Sequence, residues 1–154
     1  MTTEELLGRV PIFAGLNREQ LSRLSRLVVS RQFPRNSVLI REGDGDAALF
    51  VIVSGLVGVT KRTPTGAQLE LARLTAPDFV GDMALLDGMA RSASVTALED
   101  TECLVLSRQF FFATLRNDPE IAVAMLPTLS LRIRLLEKRL MQFSANEVNR
   151  HSLA

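Results

Sequence analysis

From Val38 to Leu106 the chain is a succession of short β-rich runs, each closed by a strong turn signal. The runs are Val38–Ile40, Leu49–Val53, Leu56–Thr60, Leu69–Leu74, Ser94–Ala97 and Glu102–Leu106. Between them stand Glu42-Gly43-Asp44-Gly45-Asp46, Ser54-Gly55, Pro64-Thr65-Gly66 and Ala76-Pro77-Asp78. Glycine accepts positive φ, proline presets φ, and Asp bonds its own backbone, so such clusters turn the chain back on itself. Short strands at this spacing predict an antiparallel sandwich or barrel and argue against a βαβ sheet. The expected class is α+β, mainly β.

Helical signals flank the strands. Leu16-Asn17-Arg18-Glu19-Gln20-Leu21 reads as a helix start: Asn17 caps, Gln20 reaches back, and Leu16 staples onto Leu21. Leu21, Leu24, Leu27 and Val28 continue it as one apolar stripe. Ser107 caps a helix running through Phe110 to Arg116, and Asp118-Pro119 opens a longer one, with Asp118 as its cap. In the latter, Leu126, Ile133 and Leu140 take heptad position a, and Leu129, Leu136 and Phe143 take d. Arg132 at g and Glu137 at the next e are spaced for a salt bridge across a parallel dimer. A homodimer through residues 126–143 is therefore expected. Packing of the same stripe on the strands is the alternative, and Leu131 and Leu135 widen it enough to serve both surfaces. Pro127 predicts a kink or break near Ala124–Leu126. The expected division is a strand domain with its flanking helices at 1–117, a hinge and dimerisation helix at 118–148, and a tail at 149–154.

Composition excludes several function classes. With 154 residues, 47% of them apolar, one domain with a real core is expected, and a net charge of +1 gives no general reason for nucleic-acid binding. Cys103, the one cysteine, rules out a disulfide framework within the chain; among Leu104, Val105 and Leu106 it reads as a buried strand thiol. His151, the one histidine, lies in the tail, so no Cys/His or Ser/His pairing is available and no catalytic residue or metal ligand is expected. Glu42, Asp44 and Asp46 read as a hairpin turn, not a cation site, and Phe110-Phe111-Phe112 as core. With an acidic start and no run of about 18 apolar residues, a cytoplasmic chain with no membrane partner is expected.

One segment carries chemistry: Phe79-Val80-Gly81-Asp82-Met83-Ala84-Leu85-Leu86-Asp87, then Arg91-Ser92-Ala93-Ser94-Val95. A glycine and a carboxylate open a short apolar helical turn, whose start offers unpaired N–H groups and a positive dipole end that attract phosphate. Arg91 closes on the same phosphate with a planar, permanently charged fork. Asp82 is an acceptor suited to a sugar hydroxyl, so a small anion bearing ribose satisfies all three. A structural ion pair between Asp82 and Arg91 is the alternative.

The order of these pieces resembles the cyclic nucleotide-binding domain of the Crp/Fnr regulator superfamily. The likeness runs from Leu7-Gly8-Arg9-Val10-Pro11 through Arg41-Glu42-Gly43 and Ser54-Gly55 to Gly81–Val95 and Asp118-Pro119-Glu120-Ile121. It implies an eight-stranded β-roll with a short helix at the phosphate pocket and two C-terminal helices, the last dimerising. It implies that Gly81 and the N–H groups of Met83 and Ala84 cradle the phosphate, Arg91 and Ser92 bind it, and Asp82 accepts the ribose 2′-hydroxyl. Val59 and Leu71 match apolar positions near the base, and Leu136 and Glu137 match helix positions that meet adenine. The implied ligand is cAMP ahead of cGMP, sensed by a regulatory domain that relays binding through its C-terminal helices to an output domain or partner. A dimerisation or adaptor module with a vestigial pocket is the alternative.

Three residues depart from the family pattern. Asp82 stands where glutamate is usual, which lengthens or water-bridges the ribose contact. Ala90 stands where proline is common, leaving the loop less constrained. Leu136 and Glu137 replace hydroxyl residues, so Glu137 either accepts from a purine amine or answers Arg132 across the coiled coil. The chain contains no recognition helix, so direct specific DNA binding by it is not expected.

Overall fold

In a computed structural model that describes residues 1–45 and 47–152, eight antiparallel strands form two four-stranded sheets. The strands are β1 (Val29–Phe33), β2 (Val38–Ile40), β3 (Ala48–Ser54), β4 (Leu56–Arg62), β5 (Gln68–Thr75), β6 (Phe79–Val80), β7 (Ser94–Ala97) and β8 (Thr101–Ser107). One sheet runs β1-β8-β3-β6 and the other β2-β7-β4-β5. The helices are α1 (Thr3–Gly8), α2 (Arg18–Ser25), α3 (Asp82–Asp87), α4 (Arg108–Asn117) and α5 (Pro119–Ser152), with a 3₁₀ turn at Pro11–Phe13. The expected α+β class, with eight antiparallel strands and helices toward the termini, is the observed architecture. Asp46 lies outside the described residues, as does the side chain of His151.

The six strand-like runs are all strands. Two further strands escaped the pattern. β1 is an edge strand paired only with β8; Val29 to Gln32 are exposed and only Phe33 is buried, so no apolar alternation marks it. The apolar stripe of α2 accordingly stops sooner than expected: the helix ends at Ser25, and Leu27 and Val28 pack against the core from the connection into β1. β6 is two residues long, below any periodicity.

The core has two compartments, and β3 separates them. Leu49 and Val51 face a helix-side cluster with Leu7, Phe13, Leu24, Phe111 and Ile121. Phe50 and Ile52 face the interior between the sheets, with Phe33, Val57, Val95 and Cys103. Successive strand side chains point to opposite faces, so a strand buried on both must be apolar without interruption, as Leu49–Val53 is. Cys103 is fully buried here, and burial pushes its thiol up to about 11. Of the three phenylalanines, Phe111 is buried, its ring 5.9 Å from Phe13 and 5.6 Å from Phe112, while Phe110 is exposed.

Local capping follows from residue type. Asn17 Oδ1 accepts from the Gln20 N–H at 2.9 Å while Gln20 Oε1 accepts from the Asn17 N–H at 3.0 Å, the reciprocal capping box at the start of α2. Ser107 Oγ accepts from the Phe110 N–H at 3.2 Å at the start of α4. Asp118 precedes α5 as expected, but its carboxylate is engaged by Arg23 of α2, tying the N-terminal helices to the α4–α5 junction.

Of the kink or break expected near Ala124–Leu126, the break does not occur: α5 is continuous through Pro127. Proline removes one i→i−4 bond, but the turns on either side are held. Ile121 and Met125 are buried just before it. Gly15 packs so closely there that a Cβ on it would lie 2.6 Å from the Ala124 carbonyl oxygen and 2.9 Å from Thr128 Oγ1. Leu129 still packs against the core; beyond it the helix leaves, and Ile133, Leu136, Leu140 and Phe143 are each more than half exposed.

Candidate functional site

The candidate site is a cavity of about 570 Å³ between the second sheet and α3. Its floor is apolar, formed by Ile40, Val59, Ala72, Leu74, Val80 and Val95, and its mouth carries Gly81, Asp82, Asp87, Arg91 and Ser92. The two ends come from different kinds of sequence. The mouth is one contiguous segment, while the floor draws one or two residues from each of five strands.

At the mouth, Gly81 precedes α3 with φ +91°, the left-handed region that glycine enters at little cost. A Cβ on Gly81 would collide with the Ala48 carbonyl oxygen and lie 2.9 Å from Arg91 Nη1. Glycine is thus required twice, by conformation and by space. The first N–H groups of α3 have no intrahelical acceptors, and Met83 and Ala84 of that turn line the cavity. Arg91 is buried, 7% exposed, and its Nη2 donates to the Ala48 carbonyl at 2.9 Å. Its backbone is clamped as well: Arg91 N–H donates to the Asp44 carbonyl at 3.0 Å and Gly43 N–H to the Arg91 carbonyl at 2.9 Å. A guanidinium held in a nearly dry site keeps its charge and interacts strongly with an anion, because little solvent screens it.

Asp82 is not ion-paired with Arg91. Its Oδ2 lies 3.4 Å from Arg132 Nη1, which reaches across from α5. Arg132, which the heptad spacing sets for a salt bridge to Glu137 across a parallel dimer, reaches the pocket mouth of its own chain here. The contact is long and Arg132 is 36% exposed, so it is a weak tether, worth about 1 kcal/mol or less.

The structure gathers Val59, Gly81, Asp82, Met83, Ala84, Arg91 and Ser92 around one cavity. Leu71, Leu136 and Glu137 are not among its lining residues. For Leu71 the reason is a bulge. Val59 pairs with Ala72 but Thr60 pairs with Glu70, which leaves Leu71 as the extra residue, half exposed, while Ala72 and Leu74 take the floor. Leu136 and Glu137 sit one to two turns beyond Arg132 on the outgoing part of α5, and Leu136 is 60% exposed. Among the described residues no group of three or more His, Cys, Asp or Glu is placed to hold a metal, and no helix is long and apolar enough to cross a membrane.

Residues 30–118 match the family model described as the cyclic nucleotide-binding domain. The chain belongs to that family. It is a cyclic nucleotide-binding regulatory domain, related to Crp-type regulators. Over 124 residues it is 34% identical to the cyclic AMP receptor protein of Thermus thermophilus, covering 80% of this chain and 57% of that protein. It is 27% identical over 131 residues to the CRP-like cAMP-activated global transcriptional regulator of Mycobacterium tuberculosis, covering 85% and 58%. The chain thus spans under two thirds of either relative's length. Among solved structures, the N-terminal domain of a transcriptional regulator from Streptomyces coelicolor superposes with a TM-score of 0.78 at 31% identity. That superposition covers 86% of this chain and 95% of the other.

Proposed function

We propose that this domain senses cAMP in preference to cGMP and relays occupancy through α4 and α5 to an output domain or partner in transcriptional or other signalling. The observation that carries this reading is the buried Arg91 guanidinium beside the left-handed Gly81 turn, at the mouth of an apolar cavity large enough for a purine nucleoside. Phosphate binds the first N–H groups of α3, Arg91 and Ser92; the ribose 2′-hydroxyl donates to Asp82; the base lies over Val59, Ala72 and Leu74. The relatives named as cAMP-responsive support cAMP over cGMP.

A ribose hydroxyl on Asp82 competes with Arg132 for the same carboxylate. Binding therefore weakens the tether between pocket and α5, and the ligand shifts the helix between a held and a released arrangement. The released stripe, Leu126, Leu129, Ile133, Leu136, Leu140 and Phe143, is the proposed seam of a parallel homodimer. Replacing Leu136 with Glu is expected to turn a dimer into a monomer in sedimentation analysis while leaving the strand domain folded.

Calorimetric titration with cAMP, cGMP and cyclic dinucleotides, with Arg91→Ala as control, tests the reading. Saturable binding of cAMP, strongly weakened in the variant, is expected. No heat with any of them in the wild type would falsify it, and unaltered self-association would then favour an adaptor module with a vestigial pocket.

A further inference from the structure

Arg108, the first residue of α4, contacts two segments that flank the cavity mouth, at Ala47 and at Leu86, without lining the pocket. Its backbone N–H donates to the Ala47 carbonyl at 3.0 Å, and the next carbonyl, Ala48, is the one that holds Arg91 Nη2 and abuts Gly81. Its side chain reaches the far end of α3: Nη2 lies 3.5 Å from the Leu86 carbonyl oxygen. The guanidinium carbon stands 4.2 Å over the Phe112 ring, which locks the fork against its own helix.

Two details mark this contact as poised. Among the described residues Arg108 Nε is buried without a hydrogen-bond partner, a costly state for a donor beside a helix end. Gly88 ends α3 at φ +67°, and a Cβ there would lie 3.0 Å from Nε, so the turn is kept bare where the guanidinium approaches. Cation and helix C-terminus also attract one another through the dipole of α3. A shift of the last turn of α3 toward Arg108 would shorten the 3.5 Å contact between Nη2 and the Leu86 carbonyl oxygen.

We propose that Arg108 is the positioning residue that converts movement of α3 into movement of α4. Phosphate captured at the start of α3 shifts that short helix as a unit; its last turn engages Arg108; Arg108 turns α4, and with it Phe111, which packs in the same cluster as Ile121 of α5. The residue acts through α3 and touches no ligand. This rests on the reading that the pocket takes a cyclic nucleotide.

The test compares wild type, Arg108→Gln and Arg108→Lys by calorimetry with cAMP and by amide hydrogen exchange with and without it. Expected is a split: Arg108→Gln binds cAMP within about threefold of wild type, yet the ligand-induced exchange change in residues 108–117 is lost while that in 82–87 persists. Arg108→Lys, which keeps a donor for the Leu86 carbonyl, restores part of the change. Full transmission in Arg108→Gln, or a parallel loss of binding and transmission, overturns the proposal. Should Arg108→Gln fail to fold, Phe112→Leu, which removes the ring beneath the guanidinium, must show the same split. Should wild type bind no cyclic nucleotide, the functional reading fails separately. The Arg108 contact is then judged in the unliganded protein: exchange at the Gly88 N–H, bonded to Ala84, must be faster in Arg108→Gln, and an unchanged rate overturns it.

Discussion

The mouth and the floor of the cavity are built by opposite strategies. Gly81, Asp82, Arg91 and Ser92 lie within one short segment, where Gly81 meets a conformational requirement and Asp82 and Arg91 supply charge. The floor is six ordinary aliphatic residues drawn from five strands, any of which would look the same in a plain sandwich core. On the proposed function, affinity for the anionic end rests on a few charged or conformationally constrained groups. Affinity for the base then rests on summed apolar area, which tolerates exchange of like for like.

The largest effect should come from the mouth. Arg91→Ala is expected to weaken cyclic-nucleotide binding about 100-fold by calorimetry, the scale of losing a charge-assisted contact in a dry site. Arg91→Lys should recover little of it, because the planar fork is lost. A loss no greater than that of a floor variant would erase the contrast. Next, Leu74→Ala on the floor should cost about tenfold, from lost apolar burial, with Val59→Ala somewhat less. Leu71→Ala, one position away but on the bulge, should leave affinity within about twofold; a drop matching Leu74→Ala would mean that the bulge places the wrong leucine outside.

Smaller effects sharpen the picture at the rim. Asp82→Glu, which restores the family's usual reach, should tighten binding by about threefold, whereas Asp82→Asn should weaken it by a similar factor, both read from the same titration. Arg132→Ala frees Asp82 from its tether, and an affinity gain of about twofold is expected; a loss would mean that Arg132 itself grips the ligand. Away from the site, Cys103 should resist thiol reagents until the protein unfolds. Its thiol pKa is raised from 9.0 to about 11, so the folded state holds the proton more tightly, and its stabilising share is full below pH 9 and declines as the pH rises from 9 to 11.

The legible parts of this molecule are those whose causes are local. The Gly81 turn, the Asn17–Gln20 capping box, the Ser107 cap and the two-faced run of β3 each follow from residues within a few positions of one another. β1 was not legible, since an exposed edge strand needs no alternation to pair with β8. The uninterrupted passage of α5 through Pro127 was not legible either, because packing of Ile121, Met125 and Gly15 around it outweighs a local penalty.

By itself, then, the amino-acid sequence determined the antiparallel strand architecture and the composition of the cavity mouth, through φ preferences, capping and charge acting over one or two turns. Only the tertiary structure decided that Ala72 and Leu74 face the cavity in place of Leu71, that Arg132 meets Asp82, and that Arg108 stands at the end of α3. Those outcomes depend on one bulge in the β4–β5 register and on the path of two helices across the sheet. Such quantities are set jointly by segments far apart in the chain, and no single segment encodes them.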